Sequence, residues 1–440
     1  MSKINKQIFL PSFFRISDKI NFDNSIDRIE SLNILPTNGN RQDNLNGQTP
    51  AIYFNYSGQK TFIRLGSPKT GFRIKASFRT KTGVNNDMNA NTTLASNWAL
   101  HLFSRAEFKL GNTTIETVSY PGIVSDILNH LKSTEYKDEG ELQSFIPDTY
   151  ESANDRLVNN EAINAGGAVA ANFSSSNNTY NDGFRKRKQF YNYTVANNDT
   201  AREISCFVPL SSIFGFANDY DRVLKHINFE IILHRADANR VNECVFGAAN
   251  TSIEFGTENT GIQSMILEIE SYTPRLEIAS ELNKYMENNE LEIAFRGRDV
   301  KHYNFNQQTF DAEINSISLP KACFVVFKGS TGAANQNLAT NSYQLFRNAD
   351  IKYITLTIDG NQVPNINYDT KFSTNRFTEF YNDFINISRE LGFNSCMTSQ
   401  EFKNLYPIFS FSLANKSQKV SGCCNINISV YRNEVPANNN

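Results

Sequence analysis

Apolar and polar side chains alternate with a period of two along much of this chain. Ile227, Phe229, Ile231 and Leu233 alternate with Asn228, Glu230 and Ile232, so one face is strongly apolar and the other mixed. Met265, Leu267 and Ile269 flank Glu268 and Glu270, and Ile354, Leu356 and Ile358 flank Thr355 and Thr357 before the turn pair Asp359-Gly360. Phe409, Phe411 and Leu413 alternate with Ser410 and Ser412, and Ile426, Ile428 and Val430 with Asn425, Asn427 and Ser429. Successive strand side chains point to opposite faces, so this pattern sets one face on a core and the other on a wetter side. It predicts a mostly antiparallel β protein.

Two segments have helical spacing instead. PGIVSDILNHL places Ile123/Val124, Ile127/Leu128 and Leu131 on one stripe behind Pro121, a residue suited to a first helical turn. FTEFYNDFINISRELG does the same with Phe377, Phe380/Tyr381, Phe384, Ile387 and Leu391, ending at Gly392 as a C′ residue. Each is expected to cover part of a sheet. From about 136 to 183 the chain turns acidic, small and Asn/Ser-rich with little periodicity, which predicts a long surface excursion.

Short echoes recur between the two halves in the same order. Gln59–Phe62 resembles Gln307–Phe310, Lys75–Phe78 resembles Lys321–Phe324, Leu94–Asn97 resembles Leu338–Asn341, and Leu102–Lys109 resembles Leu345–Lys352. After the last pair each half has a Gly-Asn turn (Gly111-Asn112, Gly360-Asn361) and then one of the two helices. Four collinear echoes followed by one strand–turn–helix order argue for two similar β units. The join falls around SELNKYMENNE, a polar stretch expected to be flexible. This settles what the 440-residue length leaves open, since three ordinary domains of about 150 residues or two β units of about 200–250 both fit it.

Composition narrows the function classes. The 43 basic and 45 acidic side chains give no global field for nucleic acid or an anionic membrane. A mean hydropathy of -0.45 and the lack of a long apolar run argue against a transmembrane helix. Pro11, Arg15 and Lys19 interrupt the first apolar patch too early for a secretory signal. Cys206, Cys244, Cys323, Cys396, Cys423 and Cys424 include no CxxC pair, which reads as buried or incidental thiols in a reducing compartment.

Candidate chemistry is sparse. His101, His130, His226, His234 and His302 form no metal-ligand spacing; His226 and His234 share a strand face but lie about 26 Å apart. Gly329-Ser-Thr-Gly332 lacks the Lys and helix of a phosphate loop and reads as a turn. No catalytic constellation is present, so neither an enzyme nor a cofactor is expected; a β-sandwich glycosidase would need a pair of carboxylates in a cleft. Arg185, Lys186, Arg187 and Lys188 are the one dense basic cluster, either a nuclear-localisation or anionic contact or a solvated loop. Phe9, Phe13 and Phe14 either anchor an N-terminal arm on a neighbouring subunit or close the base of the first sheet. Trp98, among Leu100, Leu102 and Phe103, is expected in the core.

The run SNWALHLFSRAEFKLGNTTIETVSYPGIVSDILNHL resembles a segment of the double jelly-roll major capsid proteins of Polinton-type elements and adintoviruses. SYTPRLEIASELNKYM is similar to that family's passage between rolls, and ITLTIDGNQVP, YPIFSFSLANKSQ and CNINISVYRNE to parts of its second roll. The likeness runs from about residue 30 to 432; Ser96 stands where the family stretch has Asn, and the 136–183 excursion shows no recognisable likeness to the family. The resemblance implies an all-β chain of two eight-stranded antiparallel jelly rolls in tandem, each with a short covering helix. The division expected is an arm at 1–25, a first roll at 26–280 carrying the excursion, a linker and start of the second roll at 281–296, a second roll at 297–435 and a tail at 436–440. It further implies a virion protein made and assembled inside the host cell, not secreted, that forms homotrimers and then lattices with neighbouring trimers. Single-jelly-roll penton and minor capsid proteins would be its other partners, with no specific nucleic-acid sequence and membrane contact left open. The alternative is a β-sandwich virion protein that binds a receptor or glycan through the excursion.

Overall fold

A computed structural model describes residues 25–38, 51–58, 61–80, 92–132, 143–149, 151–152, 179–180, 183, 186–187, 202–236, 245–247, 253–254, 261–290, 292–304, 307–316, 320–328, 346–358, 360–413 and 424–433. The first half lays down β1 (Ile26–Ile34), β2 (Ala51–Gly58), β3 (Phe62–Arg64), β4 (Gly71–Thr80), β5 (Phe103–Leu110) and β6 (Thr113–Ser119). Helix α1 (Pro121–Lys132) follows, then β7 (Arg202–Pro209), β8 (Val223–Leu224), β9 (Ile227–Arg235), β10 (Gly261–Pro274) and α2 (Leu276–Asn288). One sheet has the order β7-β4-β10-β3-β8, with β1 paired to β10; the facing sheet has the order β2-β9-β5-β6. Ile52, Phe54, Ile74, Phe72, Phe108, Ile231, Leu233, Leu267 and Ile269 meet between the sheets, with Trp98 wholly buried as expected.

The second half repeats the plan. After β11 (Thr309–Ser316), β12 (Ala322–Val325), β13 (Ile351–Ile358) and β14 (Asn361–Val363) come α3 (Thr378–Glu390), α4 (Ser399–Asn404), β15 (Phe409–Ser412) and β16 (Cys424–Arg432). One sheet runs β11-β16-β13-β14, and β12 pairs β15. This is the first roll's order again: β2-β9-β5-β6 corresponds to β11-β16-β13-β14, and the pair β4–β7 to β12–β15. Ile231 lies between Phe54 and Phe108 as Ile428 lies between Ala312 and Leu356. Gly111 and Gly360 both take positive φ at the hairpin that follows the equivalent strands β5 and β13, where a side chain would be strained.

The echoes that pointed to this repeat are in register only in part. Lys75–Phe78 lies on β4, and Ala322–Phe324 lies on its counterpart β12. Strand pairing equates Phe108 with Leu356, 248 residues on, whereas the Leu102–Lys109 echo pairs Phe108 with Ile351. Phe62 and Phe310 sit on strands that do not correspond, and Leu338–Asn341 lies outside the described residues.

Three expectations need correction. SELNKYMENNE is not a flexible stretch: its first nine residues lie within α2, because Ile278, Leu282 and Met286 recur at four-residue spacing and turn a partly buried stripe to the protein. Within the 136–183 reach, residues 143–149 are not a surface excursion, because Phe145, Ile146 and Asp148 are buried. Glu151–Ser152 pairs with Thr179–Tyr180, so the stretch between them leaves and returns at one place. Finally, α1 does not simply cover its own sheet; Ile127 and Leu131 belong to the core of the second roll, with Leu356, Phe384, Phe409 and Ile428.

Candidate functional site: the joint between the two rolls

Helix α1 carries two adjacent stripes, and each does a different job. Pro121 opens it, and the backbone N–H groups of Ile123 and Val124 donate to the Tyr120 carbonyl. Ile127 and Leu131, one turn apart, enter the second roll's core. Asp126 and His130, also one turn apart, face buried polar groups. The Asp126 carboxylate is held by His101 Nε2 at 2.8 Å and accepts from Asn97 Nδ2 at 3.0 Å. Gly122 permits this approach, since a Cβ there would lie 2.5 Å from His101 Nδ1.

The His130 ring sits 4.0 Å from the Tyr406 ring of the second roll and 5.2 Å, edge-on, from Phe145. Burial pushes its imidazole down to about 4, against a smaller upward pull from Asp126. The last carbonyls of α1 have no partner within the helix. The second roll supplies a donor to two of them: Ser395 Oγ donates to His130 O at 2.7 Å, and Ser388 Oγ to Leu131 O at 2.9 Å. Such bonds contribute about 1 kcal/mol each and fix direction as well as distance.

Arg187 and the 144–149 stretch close the same joint. The Arg187 guanidinium donates to Asp148 Oδ1 at 2.6 Å, to Ile146 O at 2.5 Å and to Leu94 O at 3.0 Å, and both members of the ion pair are fully buried. The Asp148 backbone N–H donates to Tyr406 Oη at 2.8 Å, so this first-half segment reaches the second roll. Gly183 packs so closely that a Cβ would fall 1.8 Å from Pro147 O.

On the other side, the strap after α2 is pinned back on the first roll before the chain crosses over. Phe295 meets Phe216 edge-on at 5.5 Å, and Ile293 joins it against the first core. Buried Glu116 accepts three backbone N–H bonds, from Gly215 and Phe216 at 3.0 Å and Arg298 at 3.1 Å. Burial raises the Glu116 carboxyl, and those bonds and Arg298 oppose the rise. The Arg298 guanidinium donates to the carbonyls of Ser212 and Ser211, each at 2.8 Å. Arg296 forks onto Asp219; burial alone would raise that carboxyl, but Arg296 holds it down at about 2. Lys132, at the end of α1, donates to Asn218 Oδ1 at 3.3 Å and lies over the Phe393 ring of the second roll at 5.1 Å.

The residues singled out from sequence fall unevenly on this arrangement. Lys186 is exposed, whereas Arg187 is wholly buried in the joint and offers no contact to an external anion or to a neighbouring subunit. Arg185 and Lys188 lie outside the described residues, as do Phe9, Phe13 and Phe14. Sequence reasoning missed His130, Ser388, Ser395 and Glu116. The Asp126/His130 spacing at i, i+4 was the one available signal, and it is also the commonest spacing on any helix face. Among the described residues no group of His, Cys, Asp and Glu could hold a metal ion, and no helix is long and apolar enough to cross a membrane.

Two antiparallel β units of one strand order, joined by a buried polar and apolar contact, define a tandem jelly-roll protein. The model of the double jelly roll-like domain family matches residues 150–440, and the chain belongs to that family. Its fold is similar to that in the 3.5 Å cryo-EM structure of the Sputnik virophage, with 11% identity over 96% of this chain and 85% of that one and a TM-score of 0.57. The mavirus major capsid protein aligns at 10% identity over 97% of this chain and 89% of that one, with a TM-score of 0.46. No curated protein matches the chain by sequence.

Proposed function

We propose that this chain is the major capsid protein of an icosahedral virus, a structural subunit and not an enzyme. The observation that carries the reading is the joint: two rolls of equivalent strand order are held at one fixed setting by α1, Arg187 and the strap. A subunit with two quasi-equivalent blocks at a fixed angle becomes a six-block ring when three copies close around an axis, and such rings tile a shell. Closure of this kind uses heterologous contacts, in which one patch meets a different patch on the next copy. The similarity to a virophage particle and the resemblance to double jelly-roll capsid proteins support the same reading. The outer faces leave room for lateral packing: Ile29, Leu276, Tyr285 and Ile366 are large apolar side chains that stand exposed on the single chain.

On this reading the protein resides in the virion after assembly within the host cell. Its first partner is itself, as a homotrimer and then a lattice of trimers, with a single-jelly-roll penton protein and minor capsid proteins at other positions. Residues 1–25, with Phe9, Phe13 and Phe14, form an arm that anchors on a neighbouring subunit, and of the two described members of the basic cluster it is the exposed Lys186 that meets an anionic surface. The first roll occupies 26–280 and the second 297–435, with the segment between them as linker. The test is multi-angle light scattering of the purified protein across a concentration series. The expected particle has three times the 49.8 kDa chain mass or a multiple of it; a monomer at every concentration overturns the reading.

A further inference from the structure

We propose that the exposed ledge formed by α2 and the start of β1 is the seat of residues 1–24 of a neighbouring copy, with Phe9, Phe13 and Phe14 as the anchoring side chains. This seat presupposes the capsid reading above and gives its arm a surface to grip. The ledge is built where two segments of the chain meet. Ile26 pairs with Pro274 and Ile29 with Tyr272, the Arg275 N–H donates to Ser25 O at 3.0 Å, and α2 follows at once. Lys225, just after β8, donates to Asn283 Oδ1 of α2 at 2.8 Å and brings Val223 and its strand to the same place.

Five of the large apolar side chains that the single chain leaves exposed lie on these elements: Ile26, Ile29, Val223, Leu276 and Tyr285. Leu276 is 86% exposed, and no residue of α2 is buried. Apolar surface gathered in this way marks a contact. Charge selects the occupant. Helix α2 carries Glu277, Glu281 and Glu287 against Lys284 alone, and Glu290 and Glu292 follow it. Residues 1–24, which lie outside the described residues, carry Lys3, Lys6, Arg15 and Lys19 against Asp18 and Asp23. Phe9, Phe13 and Phe14 stand between Lys6 and Arg15, so cations flank the aromatic cluster as carboxylates flank the apolar ledge. A basic, aromatic segment complements an acidic, apolar surface in both charge and burial.

Reach selects the copy. The root of the arm, Ser25, sits at the first turn of its own α2, which is about 20 Å long. Phe14 and Phe9 lie 11 and 16 residues from that root, about 36 and 53 Å away when the chain is extended. The aromatic cluster therefore clears its own ledge. A roll of this size is about 40 Å across, which puts the next copy within reach. Three arms, each gripping the next ledge, close a ring about the axis.

The test places a photo-crosslinking, benzophenone-bearing phenylalanine analogue at position 13 of the full-length protein. Irradiation should give a covalent two-chain product near twice the 49.8 kDa chain mass, with mass spectrometry placing the link in residues 26–29 or 276–288. A link to those residues within one chain, a link elsewhere or no link overturns the proposal. Light scattering of the same sample separates the two readings: a trimer without this link refutes the seat and keeps the capsid reading, whereas a monomer refutes both. Hydrogen exchange gives a second measurement that needs no analogue. Residues 9–14 should be protected in the wild type and exchange at least about tenfold faster in the double variant Leu276→Ser, Tyr285→Ser, with the core strand β9 unchanged. Equal rates at residues 9–14 in the two proteins overturn the proposal.

Discussion

Arg187 shows how a residue's neighbours in space override its neighbours in sequence. It stands in the run Arg185-Lys-Arg-Lys188, where charge density suggests a solvated or anion-binding loop. In the structure its guanidinium is fully buried against Asp148 and two carbonyls. Arginine suits this position because its planar fork satisfies three acceptors at once. Removing one partner leaves the other as an uncompensated buried charge, so Arg187→Met should cost about 3–5 kcal/mol, while Arg187→Met combined with Asp148→Asn should cost much less than the sum of the two single changes. Urea unfolding of the four proteins measures this; additive losses would show that the pair does not act as one unit. No residue-type pattern distinguishes Arg187 from Arg185 or Lys188, because its partners are 39 to 93 residues away in sequence.

At the scale of elements, the strands were legible and the contacts between units were not. Alternation such as Ile426/Ile428/Val430 against Asn425/Asn427/Ser429 places β16 correctly, because a half-buried strand writes its burial directly into a period of two. The helical stripe of α1 was equally clear, but periodicity reports that a face is buried and not against what. Ile127 and Leu131 look the same whether they cover their own sheet or enter the neighbouring core. The strap had only a short alternation, Ile293 and Phe295 against Ala294 and Arg296, which reports an apolar face but not the polar contacts to Glu116, Asp219 and two serine carbonyls that also fix it. Gly215 is its steric key: a Cβ there would lie 1.9 Å from Arg296 O. Gly215→Ala should therefore lift the strap and destabilise the protein by about 1–3 kcal/mol. Exchange protection at residues 293–298 should fall, while β16 in the second roll keeps its own; unchanged protection at the strap would mean that the clasp tolerates the methyl.

Over the whole molecule, duplication explains the length and the architecture together. The pairing orders β2-β9-β5-β6 and β11-β16-β13-β14 are equivalent, even though the short sequence echoes align those strands only in part. Sheet order is preserved by the pattern of burial, which many apolar residues satisfy; individual tetrapeptides are free to drift. Ile231 and Ile428 occupy equivalent positions with different neighbours, Phe54 and Phe108 in one roll, Ala312 and Leu356 in the other. Two similar blocks held at one angle by a buried joint are of use to a protein whose partner is another copy of itself, since on the proposed reading the internal contact would set the geometry in which three copies close. Electron microscopy of the purified protein examines that claim most directly. Class averages should show three-chain particles with six barrels in a near-hexagonal outline; single two-lobed particles at concentrations where the protein is otherwise stable would contradict it.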